Sequence, residues 1–187
     1  MTASQYLQRH KEPNARRVLE NYLEAYGNHE AILLRVPARI NLLGTHIEHR
    51  GGAVNYLTID RELWCVAGRR DDEIVLLHNG DPAYTPREIH PAREFPSEHV
   101  EWRKFIRTHT PKSGDWVSYV RASLFYLRNE FPGKPFAGMN LSFFGDIPVG
   151  AGLSSSSTVV VSSLLAACAV NNLDLPKERL VMMCGEA

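Results

Sequence analysis

The chain has 187 residues, with 21 Lys plus Arg balanced by 21 Asp plus Glu, and is 44% apolar and 22% charged. This composition excludes disordered, collagenous and coiled-coil architectures, and the length suffices for a core without metal or disulfide staples. A formal charge of zero removes the cationic surplus that nucleic-acid and anionic-membrane binders carry, so neither partner is expected.

Cys65, Cys168 and Cys184 are odd in number and far apart, which fits neither a disulfide framework nor a zinc ribbon and points to a reducing, cytoplasmic setting. Met1 to His10 is polar, without the apolar centre of a signal peptide, and no uninterrupted apolar run of about 18 residues occurs anywhere.

Asn14 is a candidate cap for a helix reaching Tyr26, because Val18, Leu19, Tyr22, Leu23 and Tyr26 share one 3.6-period stripe and Gly27 offers a stop. Ala31 to Val36 reads as a strand, and Pro37 is expected to end regular pairing and open a loop. Leu63 to Gly68, a turn at Arg69 to Asp72, and Ile74 to Leu77 read as a hairpin. Asn79 to Glu98, rich in proline and charge with no clear period, reads as a long surface excursion.

Trp116, Tyr119, Val120, Ser123, Leu124 and Leu127 recur at helical spacing after Ser113 or Asp115, and Pro132, Gly133 and Pro135 end that helix. Met139 to Phe144 alternates like a half-buried strand and enters a glycine turn at Gly145 to Gly152. Ser154 to about Asn171 is small or apolar nearly all round, hence a buried helix. Asp174 and Pro176 open another helix that runs to the last residue, Ala187. The scattered histidines His10, His29, His78 and His99 are expected at the surface.

The run Gly145-Asp-Ile-Pro-Val-Gly-Ala-Gly-Leu-Ser-Ser-Ser-Ser157 joins strand to helix through glycines and hydroxyls. Gly150 and Gly152 permit close backbone approach and positive φ. The first helical turn then offers unpaired amides and partial positive charge to phosphate oxygens. Serine hydroxyls could add hydrogen bonds or complete a magnesium shell. The plainer alternative is that Ser154 to Ser157 only cap the helix and the glycines only make a turn. A Walker Gly-Lys-Ser/Thr end and a Gly-x-Ser-x-Gly elbow are both missing.

A second stretch, Pro37-Ala-Arg39-Ile-Asn-Leu-Leu-Gly44-Thr45-His46-Ile-Glu48-His49-Arg-Gly51-Gly52, gathers polar side chains suited to several hydroxyls. A guanidinium there could stabilise charge in phosphoryl transfer, or Arg39 could be half of a structural ion pair. A metal reading of His46, Glu48 and His49 lacks further ligands at characteristic spacing.

Pro148-x-x-x-Gly152-Leu153-Ser154-Ser155-Ser156 resembles the second motif of the galactokinase branch of the GHMP kinases (galactose, homoserine, mevalonate and phosphomevalonate kinases). The Arg39 stretch is similar to that branch's Gly-Arg-Val-Asn-Leu-Ile-Gly-Glu-His-Thr-Asp-Tyr-Asn-Gly-Gly, and Trp116 with Tyr119 resembles its Trp-x-x-Tyr element. The resemblance covers nearly the whole chain but only the first half of such a kinase. It implies a two-layer α+β domain like the second domain of ribosomal protein S5, over residues 1–187, incomplete and without its C-terminal domain.

It further implies an ATP-dependent sugar 1-kinase. MgATP phosphates would lie on Gly150, Gly152, Leu153, Ser154, Ser155 and Ser156, with Ser156 the magnesium contact and Trp116 on the adenine side. Arg39 would be catalytic, and Arg39, Thr45, His46, Glu48 and His49 would meet the sugar. The catalytic Asp of the pattern, and its third glycine-rich motif, would fall beyond Ala187, so the visible chain alone is expected to be inactive.

Thr45, Glu48 and His49 replace the family's Glu, Asp and Tyr, which relocates hydrogen-bond partners for sugar hydroxyls and argues for a sugar other than galactose. Two further readings remain open: an inert sugar and ATP sensor, and a partial domain that acts through protein contacts, including a homo-oligomer through the edge left uncovered.

Overall fold

A computed structural model describes residues 1–44, 51–96, 104–105 and 115–187. Thr45, His46, Glu48, His49, His99 and Ser113 therefore lie outside the described residues. The elements are α1 (Ala3–Arg9), α2 (Pro13–Tyr26), β1 (Ile32–Leu43), β2 (Asn55–Arg69), β3 (Val75–Asn79), β4 (Arg87–Ile89), α3 (Pro91–Glu94), α4 (Val117–Glu130), β5 (Met139–Gly145), α5 (Ser155–Val170) and α6 (Lys177–Glu186). They form an α+β fold on a mixed five-stranded sheet of order β1-β2-β5-β3-β4, in which only β3 and β5 are parallel.

The alternation of β2 and β5 sorts their side chains onto two faces. Cys65 and Ala67, with Leu141 and Phe143, turn to a core shared with Val120, Leu124 and Leu127 of α4 and Val160, Leu164 and Ala167 of α5. Trp64 and Val66 turn the other way, onto Val18, Leu19 and Tyr22 of α2 and Ala3 of α1. Helices α4, α5 and α6 thus make the main helical layer, and α1 with α2 backs the opposite face.

Helix α2 ends at Gly27, whose φ of 81° is the conformation a glycine stop supplies. Its start differs from expectation: Glu12 is the N-cap and Pro13 takes the first helical position, leaving Asn14 one step inside. Helix α1 was not legible as an apolar stripe, yet Thr2 and Gln5 form a reciprocal capping box that marks its start.

Two strand expectations need correction. Pro37 does not end β1, which continues to Leu43 opposite β2 with register shifts between Pro37 and Arg39 and between Asn41 and Leu43. β1 is an edge strand, so a missing N–H is tolerated there. Nor do β2 and β3 form a hairpin: β5 inserts between them, antiparallel to β2 and parallel to β3. The polar turn between them is real, but it leads across the sheet rather than back along its neighbour.

Within 79–98 the excursion carries β4 and the single turn α3, and it buries Ile89 and Phe95. Tyr119 lies off the buried stripe of α4, 40% exposed. His78 on β3 is half-buried with its Nδ1 shielded, contrary to the surface placement expected of it. No helix among the described residues is long and apolar enough to cross a membrane.

Candidate functional site

β5 delivers the chain to the glycine loop, and α5 carries it away. Gly145 ends β5 pressed against β2: a Cβ there would stand 2.4 Å from the Glu62 carbonyl oxygen and 3.0 Å from Leu63 Cα. Asp146 follows and is bonded to β2 three times. Its N–H donates to the Glu62 carbonyl at 3.2 Å, its Oδ1 accepts the Glu62 N–H at 2.9 Å, and its Oδ2 accepts Arg61 Nη1 at 2.9 Å. Burial works against the carboxylate, but the Glu62 amide and the Arg61 guanidinium hold its pKa below the usual value.

Beyond this anchor Gly150 and Gly152 have φ of 74° and 72°. Space does not require glycine there, since a Cβ at either would meet nothing within 4 Å; the backbone conformation does. Ser154 is also left-handed, at φ 66° and ψ 33°, and its side chain makes no capping bond. Ser154 thus holds the N-cap position of α5, but its hydroxyl does not cap the helix. A serine in this region costs about 1–2 kcal/mol, the kind of strain that collects at functional loops.

In the first helical turn the Thr158 N–H reaches the Ser154 carbonyl at 3.0 Å and the Thr158 hydroxyl donates to the Ser155 carbonyl at 2.7 Å. The amides of Ser155, Ser156 and Ser157 precede any intrahelical acceptor. Ser155 and Ser156 are half-buried, Ser157 and Gly150 to Gly152 exposed. This strand–glycine–helix junction has left-handed residues at 150, 152 and 154 and lies on exposed or half-buried residues. The donor set suits phosphate oxygens and, through a serine hydroxyl, a hard cation.

Helix α5 packs across β1 and β2, so the loop at its head and Arg39 sit on elements in direct contact. Arg39 is half-buried on β1 opposite Thr58, not in the loop expected after Pro37, and its Cζ stands 4.0 Å from the centre of the Tyr56 ring. Trp116, at the head of α4, is half-buried with edge-on contacts to Phe143 at 5.6 Å and Tyr84 at 6.1 Å. Of the sequence-expected residues, Arg39, Trp116, Gly150, Gly152, Leu153, Ser154, Ser155 and Ser156 are described, and the four of the Thr45–His49 segment are not.

Residues 20–69 match the galactokinase galactose-binding signature, and residues 118–187 match the N-terminal domain of the GHMP kinases. The chain belongs to the GHMP kinase superfamily. Within it the chain is similar to curated galactokinases. It is 30% identical to that of Roseiflexus sp. (strain RS-1) over 90% of this chain and 38% of the relative. It is 30% identical to that of Schizosaccharomyces pombe over 91% of this chain and 34% of the relative.

Among solved structures, Lactococcus lactis galactokinase complexed with galactose is similar at a TM-score of 0.70 and 25% identity, covering 88% of this chain and 39% of that one. Methanococcus jannaschii mevalonate kinase shares the fold at a TM-score of 0.63 and 14% identity, over 83% of this chain and 45% of that one. This GHMP kinase chain thus spans between about a third and just under half the length of these relatives.

Three residues beside the site escaped sequence reading. Asp146 sits inside the glycine motif and carried a signal in its position directly after Gly145. Glu62 and Tyr56 carried none, because they reach the site only through strand register.

Proposed function

We propose that the chain supplies the phosphate-loop and sugar-facing part of an ATP-dependent sugar kinase, a phosphotransferase acting on the anomeric hydroxyl of a monosaccharide. The observation that carries this reading is the left-handed run at Gly150, Gly152 and Ser154, heading a helix that packs on Arg39's own strand. Similarity to galactokinases over about nine-tenths of the chain supports the same reaction class.

In this reading the amides from Gly150 to Ser156, including Leu153, bind the ATP phosphates, and the Ser156 hydroxyl is a ligand for Mg²⁺. Magnesium, when bound, neutralises phosphate charge. Trp116 lies on the adenine side. Arg39 holds its charge beside the acceptor oxygen and favours the developing anion, the kind of electrostatic positioning on which phosphoryl transfer depends. Thr45, His46, Glu48 and His49 recognise sugar hydroxyls, and their departures from the galactokinase pattern shift preference away from galactose.

The test is phosphoryl transfer from MgATP to a panel of hexoses, pentoses, amino sugars and uronic acids. It uses the 187-residue chain and, separately, the chain continued through the region that follows in galactokinases. Sugar phosphate formed by the longer form supports the assignment. Binding of nucleotide and sugar with no product in either form would instead make the protein a sensor, and absence of nucleotide binding would overturn the reading.

A further inference from the structure

We propose that Asp146 is a positioning residue for nucleotide binding: it fixes the root of the glycine loop to β2 and thereby sets where the loop's amides point. The inference rests on the nucleotide reading given above.

The β2–β5 ladder ends with Gly145 opposite Leu63. One step further a strand pair would exchange two backbone bonds. Asp146 keeps one, from its N–H to the Glu62 carbonyl, and replaces the other with its own carboxylate, whose Oδ1 accepts the Glu62 N–H. The side chain thus extends the ladder by one rung while the main chain turns away into Ile147 and Pro148. Oδ2 is held by Arg61, which fixes the carboxylate's rotation. Among the described residues no backbone–backbone hydrogen bond ties Ile147 to Leu153 to the sheet, so Asp146 is the last anchor to β2 before the exposed glycines.

The anchor's other half is equally constrained. Glu62 is 9% exposed, and its carboxylate accepts Trp64 Nε1 and Arg35 Nε. Arg35 belongs to β1, four residues before Arg39. A continuous set of bonded groups therefore runs from the strand of Arg39, through Glu62, to the start of the loop. Close packing at Gly145 leaves that root no room to slide. A loop fixed here spends less conformational entropy when its amides converge on an anion, which is preorganisation of the binding site.

The experiment compares the unvaried chain with Asp146→Ala and Asp146→Asn. It reads the dissociation constant of magnesium ADP by calorimetry, and backbone hydrogen exchange across residues 147–156 without ligand. Asp146→Ala should weaken ADP binding about tenfold, the loss of charge-assisted bonds at the root. It should speed exchange in that segment while α2 and β3 keep their protection. Asp146→Asn retains an acceptor for the Glu62 amide and should stay within about threefold of the unvaried chain.

Should Asp146→Ala not fold, Arg61→Leu removes only the outer bond and should weaken ADP binding about threefold. Equal ADP affinity in a folded Asp146→Ala, or faster exchange everywhere rather than in the loop, overturns the inference and leaves the nucleotide reading intact. Failure of the unvaried chain to bind magnesium ADP removes both.

Discussion

Arg39 lies with its guanidinium carbon 4.0 Å from the centre of the Tyr56 ring, a diagonal neighbour across the antiparallel β1–β2 pair. The ring face attracts the cation and limits the rotamers of a long side chain. Such contacts are worth about 0.5–1 kcal/mol when exposed and about 2 kcal/mol when desolvated. A double-mutant cycle of Arg39→Leu and Tyr56→Leu, read by urea unfolding, should return a coupling of about 0.5–1 kcal/mol. Tyr56→Phe keeps the ring and should be neutral. If the longer form has the proposed kinase activity, Tyr56→Leu should lower its kcat several-fold while Tyr56→Phe does not.

Ser154 holds a left-handed backbone without β-carbon-free chemistry to ease it. Ser154→Gly removes that penalty, partly offset by the greater freedom of glycine in the unfolded chain. A net gain of about 0.5–1 kcal/mol should raise Tm by about 1–4 °C for a chain of this size. Ser154→Val, β-branched, should lower Tm instead. If Ser154→Gly melts earlier than the unvaried chain, the serine side chain contributes more to the free protein than its geometry indicates.

Gly145 and Gly150 are needed for different reasons, and alanine at each separates them. At Gly145 the new methyl meets the backbone of Glu62 and Leu63, which cannot turn aside as a flexible side chain would. The cost of such overpacking is about 1–3 kcal/mol or more. At Gly150 the methyl meets nothing, and the cost is the left-handed φ alone, about 1 kcal/mol. Calorimetric melting should therefore rank Gly145→Ala below Gly150→Ala. Hydrogen exchange should show the first loosening the β2–β5 ladder and the second leaving it intact.

The strongest local patterns were the ones that could be read without the structure. The stripe of α2 with Gly27 behind it, the alternation of β5, and the glycine-serine passage into α5 each fix local structure from a few neighbouring residues. What was lost depends on distant partners. Pro37 reads as a strand end until β1 proves to be an edge, and two strands joined by a polar turn read as a hairpin until β5 claims the place between them. For the candidate site, the motif named Arg39 and the loop residues, while Asp146, Glu62 and Tyr56 acquire their roles from strand register.

Helices α4 and α6 are tied at the surface by Arg179, whose Nε and Nη2 donate to Glu130 Oε2 at 2.9 and 2.5 Å. The Arg179 bonds hold the Glu130 carboxyl below the usual glutamate range, outweighing the opposite push of burial. A carboxylate with a lowered folded pKa adds stability that is complete above the unfolded value near 4.5 and is lost as pH falls through the folded value. Arg179 stays protonated throughout, so only Glu130 titrates. Both groups are partly exposed, which keeps the contribution to about 1 kcal/mol or less. Urea unfolding of the unvaried chain and Glu130→Gln should therefore differ by that amount at pH 7 and pH 5. The gap should close as the pH is taken below about 4.5, because the glutamine then resembles the protonated acid it replaces. A gap of unchanged size in strong acid would assign the loss to packing between α4 and α6 instead of to charge.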